Sequence, residues 1–196
     1  MKSLWIASVA LALTQAASAT VITYETALSG ANETPPSGST ATGFAIVTID
    51  TIAQSIEVNV TYSDLAGPST AAFIHCCTGL PGTGNAGVAT QVPSFTGFPL
   101  GVTSGTYDQV FNLTLDTFYN PPFEAANGGT AATAEAALLA GMAADEAYLS
   151  IHSTVDPNGE ISGFLVPARA TPEPATFLMG GGALAGLAML RRKRAA

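Results

Sequence analysis

Basic residues are what this chain has least of. Its 196 residues include 6 Lys and Arg against 14 Asp and Glu, for a formal charge of −8. Five of those cations stand at the two ends, Lys2 in front and Arg191, Arg192, Lys193 and Arg194 behind, and Arg169 is the only other. Thirteen of the fourteen carboxylates lie between Thr20 and Ala170. A body with one cation has no surface that neutralises phosphate, which excludes nucleic acid as a partner. The same sign argument excludes long-range attraction of the body to anionic lipid. Cysteine is nearly absent, and Cys76 and Cys77 are neighbours, so no framework of disulfides staples distant segments. Bonded to each other they would close no useful loop; pairing between molecules or two buried thiols are the other outcomes in an oxidising compartment. No P-loop, HExxH or GxSxG pattern is present, so no catalytic motif announces itself. Charge is sparse at 10%, yet 47% of the residues are hydrophobic, which excludes a disordered acidic tail.

The ends read as addresses. Lys2 followed by the apolar run Leu4 to Leu13 and by Ala17-Ser18-Ala19 has the order of a cleavable signal peptide over residues 1–19, with Ala17 and Ala19 as the small cleavage residues. Ten apolar residues rise about 15 Å as a helix, half a bilayer core, so this run is too short for a permanent span. At the other end, Pro172-Glu173-Pro174 precedes sixteen uncharged residues, Ala175 to Leu190, and then Arg191-Arg192-Lys193-Arg194. The prolines make an extended stub. Sixteen residues give a hydrophobic helix of about 24 Å, marginal for a span, and the adjacent cations would hold its end in the cytoplasm with the body outside.

Between these ends, residues 20–168 read as one all-β domain. Ile56, Val58, Val60 and Tyr62 alternate with Glu57, Asn59, Thr61 and Ser63, the period of a half-buried strand. Tyr107 to Leu115 alternates likewise, and Gly43 to Ile49 is apolar on both faces, as in a central strand. Val21 to Leu28, Thr70 to His75, Tyr148 to Ser153 and Ile161 to Val166 complete about seven strands. Asp50 to Gln54 and Asp156 to Gly159 supply turns. Ala131 to Ala147 is made of strong helix formers and predicts one inserted helix, with Leu138, Leu139 and Met142 on one face. Thr78 to Gly105, rich in Gly and Pro, is a long excursion of the kind that is functional or a crossover. The expected fold is a Greek-key, immunoglobulin-like β-sandwich.

The tail over 169–196 resembles the PEP-CTERM sorting signal, carried here by Pro172, Glu173, Pro174, the hydrophobic helix and Arg191 to Arg194. That resemblance implies export by the Sec translocon in a Gram-negative bacterium and a transient inner-membrane anchor. Processing by exosortase, a membrane-embedded cysteine peptidase, would follow. Within the body, Leu28 to Pro36 (LSGANETPP), Thr42-Gly43-Phe44-Ala45 and Ala71 to His75 resemble successive blocks of the chordin-type (CHRD) domain. Ala147 to Ser153 and Asp156 to Gly163 resemble two more. Phe73 stands where the family has the first His of a His-x-His strand, and Ser162 where an Arg is usual. The resemblance implies an exported domain without an assigned activity, placed at the cell surface or in extracellular matrix. Its partners there would be extracellular polysaccharide or other surface proteins.

One constellation could carry chemistry. His75 and His152, the two histidines, lie on strands that the resemblance brings together, with Cys76 and Cys77 beside the first and Glu160 after the second. Two imidazoles and a thiolate could bind Zn²⁺ or Cu⁺, making a metal-binding or redox protein. The alternative is a buried pair, each ring donating to a backbone carbonyl or to Glu160. A thiol protease is disfavoured, because residues adjacent on a strand point to opposite faces. The expectation is therefore a non-enzymatic, structural or adhesive domain with no cofactor.

Overall fold

Alternation decides the first three strands. The computed structural model describes residues 21–168, and in it β1 (Val21–Ser29), β2 (Thr42–Asp50) and β3 (Ser55–Ser63) form an antiparallel meander. Tyr24, Val47 and Val58 face each other across the three strands, as do Ile49 and Ile56, all in the core. Each such side chain contributes about 1.5–3 kcal/mol by leaving water. The β2–β3 register is held by Asp50, whose Oδ1 accepts from Ile52 N (2.9 Å) and Ala53 N (2.8 Å). The expectation that both faces of β2 are buried fails: Ala45, Val47 and Ile49 enter the core, but Phe44 and Ile46 are 42% and 37% exposed on the solvent side.

The chain continues through β4 (Ser69–His75), β5 (Gly105–Asn112), α1 (Pro121–Ala126), α2 (Ala131–Ala143), β6 (Tyr148–Ser153), β7 (Ile161–Phe164) and β8 (Val166–Pro167). All pairings are antiparallel, and the hydrogen-bonded order is β4-β6-β7-β1-β2-β3-β5, with β8 alongside β1. The all-β class stands. The strands are not divided into two separately bonded sheets, as the expected immunoglobulin-like sandwich would have them. Instead β1 joins both halves, meeting β2 on one side and β7 and β8 on the other.

The long excursion proves to be the closure. Its Ala89 N donates to Ile74 O (2.9 Å) and its Phe95 N to Ala72 O (3.2 Å), while Thr90 Oγ1 and Ser94 Oγ accept from Ile74 N and Ala72 N (3.0 Å each). This covers the free edge of β4, which would otherwise be open to pairing with another chain. Farther on, Ser69 N donates to Val102 O (2.8 Å) and Leu65 N to Thr103 O (3.0 Å), drawing the far edge strand β5 toward β4. Phe95, Phe98, Tyr62 and Tyr107 stack in the gap, with Tyr62 Oη donating to Pro99 O and Tyr107 Oη to Thr96 O (2.9 Å each).

Two α-helices replace the one expected. α1 is six residues opened by a Pro pair, too short to show a period in sequence. α2 starts at a capping box, Thr130 Oγ1 accepting from Thr133 N, and buries Ala134, Leu138, Gly141 and Met142. It ends at Ala143, four residues before the expected end. The strand read over Tyr107 to Leu115 stops at Asn112; Leu113 still reaches the core, but Leu115 is exposed. The signal peptide with Ala17 and Ala19 lies outside the described residues. So do the tail elements, Pro172, Glu173, Pro174, Ala175 to Leu190, Arg191, Arg192, Lys193 and Arg194. Among the described residues no helix is long and apolar enough to cross a membrane.

Candidate functional site

Strand register brings the two histidines together. β4 and β6 pair with Ala71 opposite His152, Phe73 opposite Ser150 and His75 opposite Tyr148. Period two then places these six residues on one face, while Ala72, Ile74, Leu149 and Ile151 fill the core on the other. Every residue of β6 is buried, so the histidine face is covered as well.

The rings form a stack. His75 lies parallel to Tyr148 (centroids 4.7 Å, 5°) and to His152 (5.8 Å, 8°). Phe73 meets both imidazoles edge-on, at 5.9 and 5.2 Å. His75 Nδ1 is 3.0 Å from Ala86 O, and His152 Nδ1 is 2.8 Å from Pro157 O. A carbonyl only accepts, so each Nδ1 carries the proton and each Nε2 is left as a lone pair. Both Nε2 atoms are buried with no hydrogen-bond partner. Burial pushes the His75 imidazole down to about 4, with the backbone bond to Ala86 opposing and the charge on His152 adding. Burial lowers His152 too, against its bond to Pro157. These are neutral, stacked rings.

Two carboxylates flank the stack and behave oppositely. Glu33 Oε1 accepts from Ser150 Oγ (3.1 Å), and burial holds this carboxyl above the ordinary range despite Ser162 and Ser150 pulling it down. Gly159, at φ +130°, closes over the pair: a Cβ there would lie 2.8 Å from both Glu33 carboxylate oxygens and from Ser150 Oγ. Glu160, fully buried, accepts on Oε1 from Ser39 Oγ (2.7 Å) and Ala66 N (2.6 Å). Burial alone would raise it, but donors at Ser153, Ser39, Ala66 and Gly67 hold it below its usual value. Glu160 ties the β1–β2 connection to the β3–β4 connection and is not the histidines' acceptor.

The sulfurs go elsewhere. Cys76 and Cys77 are bonded to each other, and their ring sits on α2 at Ala137 and Gly141. The alternative metal set of His75, His152, Cys76 and Cys77 is not assembled, since both thiols are consumed. Among the described residues no group of three or more His, Cys, Asp or Glu could hold a metal. Sequence reasoning found the two histidines but missed Tyr148, Glu33 and Gly141. A helix-interior Gly three and four residues past Leu138 and Ala137 was the available sign that something must approach α2 closely.

The curled sheet, its capped edge and a covered face of neutral rings define an acidic, antiparallel β-domain. Residues 24–165 match the CHRD domain model, and the chain belongs to that family. Residues 170–194 match the PEP-CTERM protein-sorting motif, the mark of a substrate exported for exosortase processing. No curated protein and no solved structure matches the chain.

Proposed function

We propose that this CHRD-domain protein is cargo: exported by Sec, held transiently in the inner membrane of a Gram-negative cell, cut by exosortase near Pro172-Glu173-Pro174, and displayed at the surface or in extracellular matrix. The domain acts there without catalysis, as a structural or adhesive module. The observation that carries this reading is the sorting motif at 170–194 directly behind a CHRD domain. Charge supports it. Residues 21–168 contain no Lys or Arg, so only the tail has a sign that holds to an anionic leaflet. The recognised partner is exosortase. Extracellular polysaccharide is the candidate surface partner, and a neutral one suits the chemistry. A cleft of about 630 Å³ beside exposed Phe44 is lined by Thr42, Thr61, Ser63, Ser104 and Thr106, while the negative charge of the domain as a whole repels anionic polymers.

Mass spectrometry of the mature protein tests the processing step. The expected product lacks Arg191 to Arg194, and an intact tail in the final product refutes it. Glu173→Ala should leave the precursor in the membrane fraction. Retardation in native gels containing neutral but not anionic polysaccharide, lost in Phe44→Ala, tests the adhesive role.

A further inference from the structure

We propose that Cys76–Cys77 is a thiol–disulfide exchange site for an external dithiol, and that opening it loosens helix α2. A bond between sequence neighbours removes almost no freedom from the unfolded chain, so stabilisation does not account for it. Four features of the structure give it another use. Cys77 is exposed whereas Cys76 is 5% exposed and belongs to the core, so one sulfur faces a reagent and the other faces the fold. The ring walls a cleft of about 400 Å³ with Gly87, Val88, Asn120 and Phe123, and no charged side chain lines it. In an acidic domain, the wall that a thiolate entering here would meet is uncharged. Cys77 Sγ lies 3.7 Å from Ala137 O, an acceptor that only the reduced thiol can use. Finally, α2 is cut away for the ring: a Cβ at Gly141 would fall on both sulfurs. A Gly inside a helix weakens it relative to Ala, so the seat is built at the helix's expense.

The exchange balances in two steps. A thiolate of the dithiol attacks Cys77 Sγ, the Cys76–Cys77 bond breaks, and the electron pair leaves on Cys76, which takes a proton from solvent. The dithiol's second thiolate then attacks its own sulfur in the mixed disulfide. Cys77 is released and protonated, two thiols stand on the domain, and the dithiol has become a disulfide. Cys77 then turns to Ala137 O, and the rigid plate beneath Gly141 is gone.

The test uses the oxidised, full mature protein with dithiothreitol under native conditions, N-ethylmaleimide trapping and mass spectrometry, beside amide exchange of 131–143. Two maleimide adducts should form after native reduction and none before it. Exchange in α2 should rise about ten-fold on reduction and return on reoxidation. Reaction only in denaturant, or adducts without reductant, overturns the exchange site. Native reduction with unchanged α2 exchange overturns the coupling. Cys76→Ser/Cys77→Ser supplies a second reading, since its α2 exchange should match that of the reduced protein.

Discussion

Acidification should weaken this domain from about pH 6.5 downward, through its two buried histidines. The perturbation is a fall in pH from 7 to 4. His75 titrates near 6.5 when unfolded and near 4 when folded, because its ring is buried between Tyr148, His152 and Phe73 with its one proton committed to Ala86 O. Through that window the unfolded chain binds more protons than the folded one, so stability falls as pH falls. The loss begins near 6.5 and is complete below about 4. The gap between those values corresponds to about 3 kcal/mol from His75 alone. His152 acts in the same direction. Glu33, whose carboxyl is raised, takes up its proton in the folded state first and opposes part of the loss. Glu160 is held low, so its contribution is lost only below its ordinary value of 4.5, at the acid end of the histidine window. Against a total of about 5–15 kcal/mol for a domain of ordinary stability, such a loss is large. Urea denaturation at pH 7 and pH 4, followed by far-ultraviolet circular dichroism, measures it. The mature chain has no tryptophan to report if Trp5 leaves with the signal peptide. An unchanged urea midpoint, or imidazole resonances of the folded protein that titrate near 6.5, would refute the reasoning.

Three further outcomes are expected. Gly141→Ala should destabilise the oxidised protein by about 1–3 kcal/mol through overpacking against the sulfurs; in a Cys76→Ala/Cys77→Ala background the same change should turn neutral or stabilising, and additivity in the thermal melts would count against contact. Glu160→Gln puts an amide donor among Ser39 Oγ, Ala66 N and their neighbours; about 1–3 kcal/mol should be lost, and an unaltered melting temperature would remove Glu160 as the tie between the two connections. Asp50→Ala frees the Ile52 and Ala53 amides of the β2–β3 turn. It should cost about 1 kcal/mol and speed exchange at those two amides, and unchanged protection there would contradict the turn's dependence on that carboxylate.

Much of the fold was legible because the signals are local. Ser55–Ser63 and Tyr148–Ser153 fall where alternation and β-rich composition put them, and Ala131 begins the helix its alanines promise. What failed did so for non-local reasons. Phe44 and Ile46 are apolar by composition but face solvent, which depends on whether anything packs over the meander. Whether the strands make one sheet or two depends on β1 bonding on both edges, and no window of sequence contains that.

The same division runs through the candidate site. Charge and order of residues were enough to read the acidic body, the neighbouring cysteines and the sorting tail, because these are properties of composition and adjacency. The stack of Tyr148, His75 and His152, the proton on each Nδ1, the pairing of Glu160 with Ser39 and Ala66, and the seat of the Cys76–Cys77 ring on Gly141 were decided only by tertiary structure. Each of those depends on the distance between groups remote in sequence, and that distance exists only once the sheet has curled.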